Sequence, residues 1–164
     1  MRILVDTSIW SLALRRPSGV VNEEANLLKT IIEQGEDIYL LGIILQEVLQ
    51  GIRNSKDFLA LKEYFKAYPL IDLTREDYVR AAELKNKLIG KGKQGSTIDV
   101  LIASAAISHR CHLFTADKHF THIAEHSELK LIVGTAPETL RGGLWRRLLL
   151  YPTQKARPCP LPRG

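Results

Sequence analysis

Short apolar runs alternate along the chain with segments whose apolar positions recur at helical spacing. These runs are typical of buried strands, and they lie at 2–6, 37–41, 70–73, 111–115 and 129–133. The helical segments lie at 7–14, 21–34, 43–52, 55–67, 74–89, 98–109 and 117–125. In the clearest of these segments, Ile98, Leu101, Ile102 and Ala105 fall on one face of a helix.

This alternation predicts an α/β fold. A helix between two strands usually carries the chain across the sheet to a parallel neighbour, so helices come to cover both faces. We therefore expect a three-layer α/β/α sandwich with a mostly parallel central sheet of about five strands. Thr74 followed by Asp77 predicts a capping box at the start of one helix, and Gly35 predicts the end of another.

The net positive charge is concentrated in a tail. The net charge is +5, but residues 141–164 carry six Arg and Lys residues and no acid. Residues 1–140 contain the remaining 17 basic residues and all 18 acidic residues, so their net charge is −1. We expect a domain at 1–140, followed by a basic, proline-rich tail at 141–164 that is partly disordered.

Composition excludes several classes of protein. The chain is 45% apolar and 25% charged, as in ordinary globular domains, and no apolar run is long enough to span a membrane. Cys111 and Cys159 lie too far apart in sequence for a metal or redox motif, and Asp6 interrupts the first apolar run too early for a secretory signal. A cytoplasmic location is therefore expected.

Four acidic residues are candidates for chemistry. Asp6 and Asp117 follow predicted strands, Asp99 lies in a first helical turn, and Glu47 borders an apolar helix face. Each acid taken alone could be a helix cap or a solvated side chain. The predicted fold brings all four to the rim where α/β sheets bind ligands. Four carboxylates cannot all stay ionised close together unless a cation compensates their charge, and carboxylate oxygens suit Mg²⁺ or Mn²⁺.

Four segments also resemble the motifs of one protein family. In chain order they are 3–8, 45–51, 97–103 and 115–120, which read ILVDTS, LQEVLQG, TIDVLIA and TADKHF. This pattern is similar to that of PIN domains, and most closely to the VapC-type toxin ribonucleases of toxin–antitoxin pairs. The resemblance covers residues 1–137, and the tail after Arg141 has no counterpart in it.

The resemblance implies an endoribonuclease that depends on Mg²⁺ or Mn²⁺ and cleaves RNA with a metal-activated water. Its metal-binding and catalytic residues would be Asp6, Glu47, Asp99 and Asp117, with Asp6 and Asp99 as the strongest candidates for direct ligands. Hydroxyls that support the site would come from Thr7, Ser8 and Thr115. The resemblance further implies a tRNA or rRNA stem-loop substrate, a VapB-type antitoxin and a homodimer.

Several alternatives remain open. The lysines Lys91, Lys93 and Lys118 could bind RNA phosphates or simply be solvated. A phosphatase of the haloacid dehalogenase type needs a second acid where Ser8 stands, and a zinc site at the histidines near 119–126 lacks a fourth ligand. The more serious rival is a catalytically inactive PIN-like module that binds RNA or protein.

Overall fold

The computed structural model describes residues 1–14 and 22–132, which contain five strands and seven helices. The strands are β1 (Arg2–Val5), β2 (Asp37–Leu41), β3 (Leu70–Ile71), β4 (His112–Phe114) and β5 (Lys130–Ile132). The helices are α1 (Thr7–Leu14), α2 (Glu23–Glu33), α3 (Gly42–Gln50), α4 (Ser55–Phe65), α5 (Arg75–Gly90), α6 (Thr97–Ser108) and α7 (His119–Ala124).

All strand pairs in the sheet are parallel, and the strand order is β3-β2-β1-β4-β5. The chain moves from β1 through β2 to β3 in one direction, then crosses to β4 and continues to β5 in the other. Because such crossovers are right-handed, α1 to α4 cover one face and α5 to α7 cover the other. The contacts agree, since α1 packs on α2 and α3, whereas α6 packs on α5 and α7.

The central strands form the core. Ile3, Leu4 and Val5 of β1 have no solvent exposure, because both faces of the strand are covered by helices. Helix α6 is nearly as buried, with residues 102–106 all inside. An apolar run without alternation therefore marks a strand at the centre of a parallel sheet.

The predicted α/β fold with a mostly parallel sheet of five strands is confirmed. Differences are confined to the ends of elements: β3 contains only Leu70 and Ile71, and α7 begins at His119 rather than at Asp117. Residues 15–21, residues 133–140 and the basic tail 141–164 lie outside the described residues. Within the described part of the chain, no helix is long and apolar enough to cross a membrane.

The capping box predicted at Thr74 is present. The Thr74 hydroxyl accepts a hydrogen bond from the Asp77 amide, and the Asp77 carboxylate accepts one from the Thr74 amide at 2.8 Å. The carboxylate is buried and also lies 3.3 Å from His109, the residue that follows α6. Burial alone raises the pKa of Asp77, but the Thr74 hydrogen bonds and His109 outweigh it, so the pKa is lowered.

This lowered pKa predicts how acid affects stability. The Asp77 carboxylate stabilises the fold above its unfolded pKa of about 3.9, and this contribution is lost as the pH falls through the lower folded value. We expect Asp77→Asn to reduce the free energy of unfolding by about 1–2 kcal/mol at pH 7 and to flatten the acid side of the stability profile. Urea unfolding followed by circular dichroism across pH measures both effects.

Glu76→Gln is the matched control, because it removes a charge from the same helical turn without removing a described hydrogen bond. An acid profile equally flattened by Glu76→Gln would contradict the role of the capping box.

Candidate active site

The candidate site lies where the chain leaves β1 and β4. Val5 pairs with Phe114, and the amide of Asp6 donates to the Phe114 carbonyl at 2.9 Å, so Asp6 and Thr115 emerge side by side. From these two adjacent strands the chain turns to opposite faces of the sheet. Such a point opens a crevice at the carboxyl ends of parallel strands, which is where α/β sheets bind ligands.

Asp6 is a buried acid held by hydroxyl groups. Its side chain is only 5% exposed, and its Oδ2 accepts hydrogen bonds from Ser8 Oγ at 2.6 Å and Thr115 Oγ1 at 2.9 Å. The Ser8 amide donates to the same oxygen at 3.3 Å. No described residue donates to Oδ1. One carboxylate oxygen is thus fixed by the protein, and the other is left for a ligand.

The two hydroxyls that hold Asp6 are themselves anchored. Ser8 Oγ accepts from the Ala116 amide, and Thr115 Oγ1 accepts from the Asp117 amide, each at 3.0 Å. Each hydroxyl therefore receives a backbone hydrogen and gives its own hydrogen to Asp6. This arrangement fixes the Asp6 carboxylate relative to the backbone that carries Asp117.

Asp117 has both a capping and a possible site role. Its Oδ1 accepts from the His119 amide at 2.9 Å and lies 3.3 Å from the His119 ring, at the start of α7. Its side chain is 39% exposed beside the Asp6 network. The capping interpretation and the ligand interpretation of this acid are therefore compatible.

Glu47 reaches the same end of β1 from α3. Its Oε2 accepts a hydrogen bond from Thr7 Oγ1 at 2.6 Å, and Thr7 directly follows Asp6. The side chain of Glu47 is half-buried. The pair Thr7–Glu47 thus lies next to the Asp6 network along the chain.

Asp99 stands in the first turn of α6 and is half-buried. Its amide donates to Ser96 Oγ at 3.0 Å, which makes Ser96 the cap of the helix. No described hydrogen bond or ion pair joins its carboxylate to the other three acids. The structure therefore links Asp6, Glu47 and Asp117 through neighbouring residues and leaves Asp99 apart from that network.

The site offers carboxylate oxygens, which are the type of ligand that a hard divalent cation prefers. Among residues 1–14 and 22–132, no Lys or Arg nitrogen lies within 4.0 Å of Asp6, Glu47 or Asp99, so these carboxylates have no described cationic partner. Within the same ranges, no three acidic, His or Cys side chains form a closed metal-binding group. Mg²⁺ does not require one, since it is usually bound through one or two carboxylates with water and substrate phosphates.

Comparison with known proteins decides the family. The PIN domain family model matches residues 3–126, most of the chain. The chain belongs to the PIN-domain family. No curated protein matches the sequence significantly.

Solved structures share the fold of this PIN domain at low sequence identity. VapBC2 from Rickettsia felis, bound to a promoter DNA fragment, is 22% identical with a TM-score of 0.65, over 80% of this chain and 98% of that one. VapBC-1 from nontypeable Haemophilus influenzae is 17% identical with a TM-score of 0.66, over 82% and 99%. FitAcB from Neisseria gonorrhoeae is 22% identical with a TM-score of 0.61, over 82% and 98%.

The predicted RNA-binding lysines lie in the loop between α5 and α6 of the PIN domain and just before α7. Lys91 and Lys93 are exposed directly after α5, and Lys118 is exposed beside Asp117. One residue that sequence reasoning missed is Lys85, whose Nζ donates to Thr97 Oγ1 at 2.6 Å. No signal in the sequence marks Lys85, because Thr97 becomes its neighbour only in the fold.

Proposed function

We propose that this PIN domain is a metal-dependent endoribonuclease and the toxin of a type II toxin–antitoxin pair. The observation that carries the proposal is the buried, hydroxyl-bound Asp6 at the crevice between β1 and β4, in a family whose members are generally nucleases. The likeness of the fold to the VapBC and FitAB proteins supports the assignment as a toxin.

The acids have distinct roles in this proposal. Asp6 and Asp99 hold Mg²⁺ or Mn²⁺, and Glu47 and Asp117 bind the ion directly or through water. When bound, the ion lowers the pKa of a coordinated water and neutralises charge on the phosphate oxygens.

The hydroxyls of Thr7, Ser8 and Thr115 keep these carboxylates oriented, as such hydrogen bonds do for ligands of many metals. The hydrogen bonds from Ser8 and Thr115 hold one edge of the Asp6 carboxylate, and Thr7 holds Glu47. Because these carboxylates are already held in place, less entropy is lost when the substrate binds.

Charge bears on how the substrate would bind. Lys91, Lys93 and Lys118 bind RNA phosphates, because a rim of acids repels RNA unless cations offset it. The resemblance to VapC-type toxins implies a tRNA or rRNA stem-loop as the substrate and a VapB-type antitoxin as the partner. An antitoxin Arg could enter among the acids, where its guanidinium can form a bidentate pair with a carboxylate. We further propose a homodimer that acts in the cytoplasm.

Removal of the metal tests the nuclease. The full chain is incubated with a labelled tRNA stem-loop and Mg²⁺, Mn²⁺ or EDTA. We expect cleavage with either metal, none with EDTA, and recovery on adding excess Mg²⁺. Attack by water leaves a 5′-phosphate and a 3′-hydroxyl, which end-group analysis distinguishes from a cyclic phosphate.

Cleavage that persists in EDTA, or products with cyclic phosphate ends, would contradict a metal mechanism. Binding of RNA without cleavage under any of these conditions would favour the catalytically inactive module. Growth arrest on expressing the wild-type chain, and its relief by co-expression of a small antitoxin gene if the neighbouring reading frame encodes one, test the toxin assignment separately.

A further inference from the structure

A second concave surface lies between the end of α5 and the loop 91–96. It encloses about 470 Å³ and is lined by Lys85, Ile89, Gly92, Lys93, Gln94 and Gly95. We call it the lysine groove. Two of its six lining residues are cationic and two are glycines, so a ligand there meets positive charge and an accessible backbone.

Backbone hydrogen bonds fix the shape of the lysine groove. Gly92 has a φ of +69° and closes α5, with its own amide bonded to the Ile89 carbonyl and the Lys93 amide bonded to the Leu88 carbonyl. Gly95 packs on α6, where an added Cβ would lie 3.2 Å from Val100 Cγ2. The loop is therefore held at both ends, and the position of the Lys93 backbone is set before any ligand binds.

The charge of the lysine groove is not compensated locally. Lys85 Nζ is held at 2.6 Å by the Thr97 hydroxyl, which is neutral and leaves two ammonium hydrogens to other partners. Within the described parts of the chain, neither Lys85 nor Lys93 has an acidic oxygen within 4.0 Å. Holding two unpaired cations at one groove favours an anionic ligand.

The groove borders the turn of α6 that carries Asp99. Thr97, which holds Lys85, and Asp99 lie in the same first turn of α6. The distance between the groove and the Asp99 carboxylate is thus on the order of one helix diameter, about 10 Å. A polyanion bound at Asp99 would carry its next charged groups to the lysines.

We propose that Lys85 and Lys93 form a subsite for an RNA phosphate that flanks the scissile phosphate, an inference that rests on the proposed ribonuclease function. The alternative is an acidic protein segment. RNA is favoured because the groove borders the turn of α6 that carries Asp99, where the proposed function places the RNA backbone. Ile89, 58% exposed, offers an apolar wall to the ribose.

The test measures binding without cleavage. Fluorescence anisotropy of a short labelled single-stranded RNA is recorded with the full chain in EDTA, for wild type, Lys85→Gln, Lys93→Gln and the double variant. We expect the double variant to bind about tenfold more weakly. We also expect the slope of log affinity against log salt to fall by about 0.7, the value for one phosphate on a single strand.

Lys87→Gln is the matched control. It removes the same charge from the same helix, but Lys87 faces a separate groove with Arg80, Ser108 and Glu128. Its RNA affinity should equal that of wild type, and Lys85→Arg should restore the affinity lost in Lys85→Gln. Circular dichroism of each variant checks that the fold is kept.

Three results would overturn the subsite: equal RNA binding by wild type and the double variant, an equal loss in Lys87→Gln, or a larger loss for a polyglutamate probe than for RNA. The last result would assign the groove to a protein partner. Because RNA binding is measured in EDTA, it does not depend on cleavage. If the wild type fails to cleave RNA, the proposed nuclease function is refuted, but the binding of wild type and variants can still be compared.

Discussion

We expect Asp6→Asn to abolish the proposed RNA cleavage, with a loss of about 10³-fold or more. The substitution is nearly isosteric, and the amide oxygen can still accept from Ser8 and Thr115, so the hydroxyl network is kept. What disappears is the negative charge, and with it most of the affinity for a divalent cation. Single-turnover cleavage of a labelled RNA in Mg²⁺ measures the loss.

Asp99→Asn should have the same consequence, although Asp99 lies outside the hydrogen-bonded network of Asp6. The matched control is Asp72→Asn, because Asp72 follows β3 as Asp6 follows β1, yet it is exposed and accepts no described hydrogen bond. Cleavage that survives both Asp6→Asn and Asp99→Asn would exclude these acids from the reaction.

The largest expected effect on stability belongs to Trp10. Its side chain is 2% exposed and packs edge-on against Phe65 at 4.9 Å and against Tyr68 at 5.3 Å, which joins α1 to α4. Trp10→Ala leaves a cavity at this junction, and we expect the free energy of unfolding to fall by about 3–5 kcal/mol. Since α1 begins one residue after Asp6, loosening of this helix should also weaken cleavage. Urea unfolding measures the first effect.

Trp10→Phe tests the contribution of aromatic packing separately from that of the indole N–H. The indole nitrogen is buried and has no hydrogen-bond partner among the described residues, so removing it sacrifices no described bond. The smaller ring keeps the edge-on contact, and the expected loss is about 1 kcal/mol. Equal destabilisation by Phe and Ala would mean that Trp10 does not act through its aromatic packing.

The fold could be predicted from the sequence because its strands are buried on both faces. Such strands appear as plain apolar runs, and β1 is one of the clearest. The strand order could not be predicted, because the pairing of β1 with β4 depends on contacts between residues more than 100 positions apart. Helix ends were predicted to within two residues; α6 ends one residue before its predicted end and is followed by Arg110 at a φ of +54°, where no glycine marks the turn.

The sequence predicted which residues are candidates for the site, but it did not predict which hydrogen bonds join them. Asp6 stood out because an acid ends an apolar run, but only the structure shows that Ser8 and Thr115 share its Oδ2. Ser96 lies between the predicted helical segments 74–89 and 98–109, and the structure shows that it caps α6. Lys85 was missed because a lysine on a helix carries no signal until its neighbour across the fold, Thr97, is known.

The position of β1 in the middle of the sheet has a consequence for synthesis on the ribosome. β1, β2 and β3 can pair as soon as they emerge, but the other edge of β1 stays open until residues 112–114 have been made. Until then Asp6 lacks the Thr115 hydroxyl, 109 residues downstream. The nascent chain therefore carries an exposed strand edge and an unfinished acidic site until β4 and Thr115 have been made. The proposed nuclease completes its active site only after that point in its synthesis.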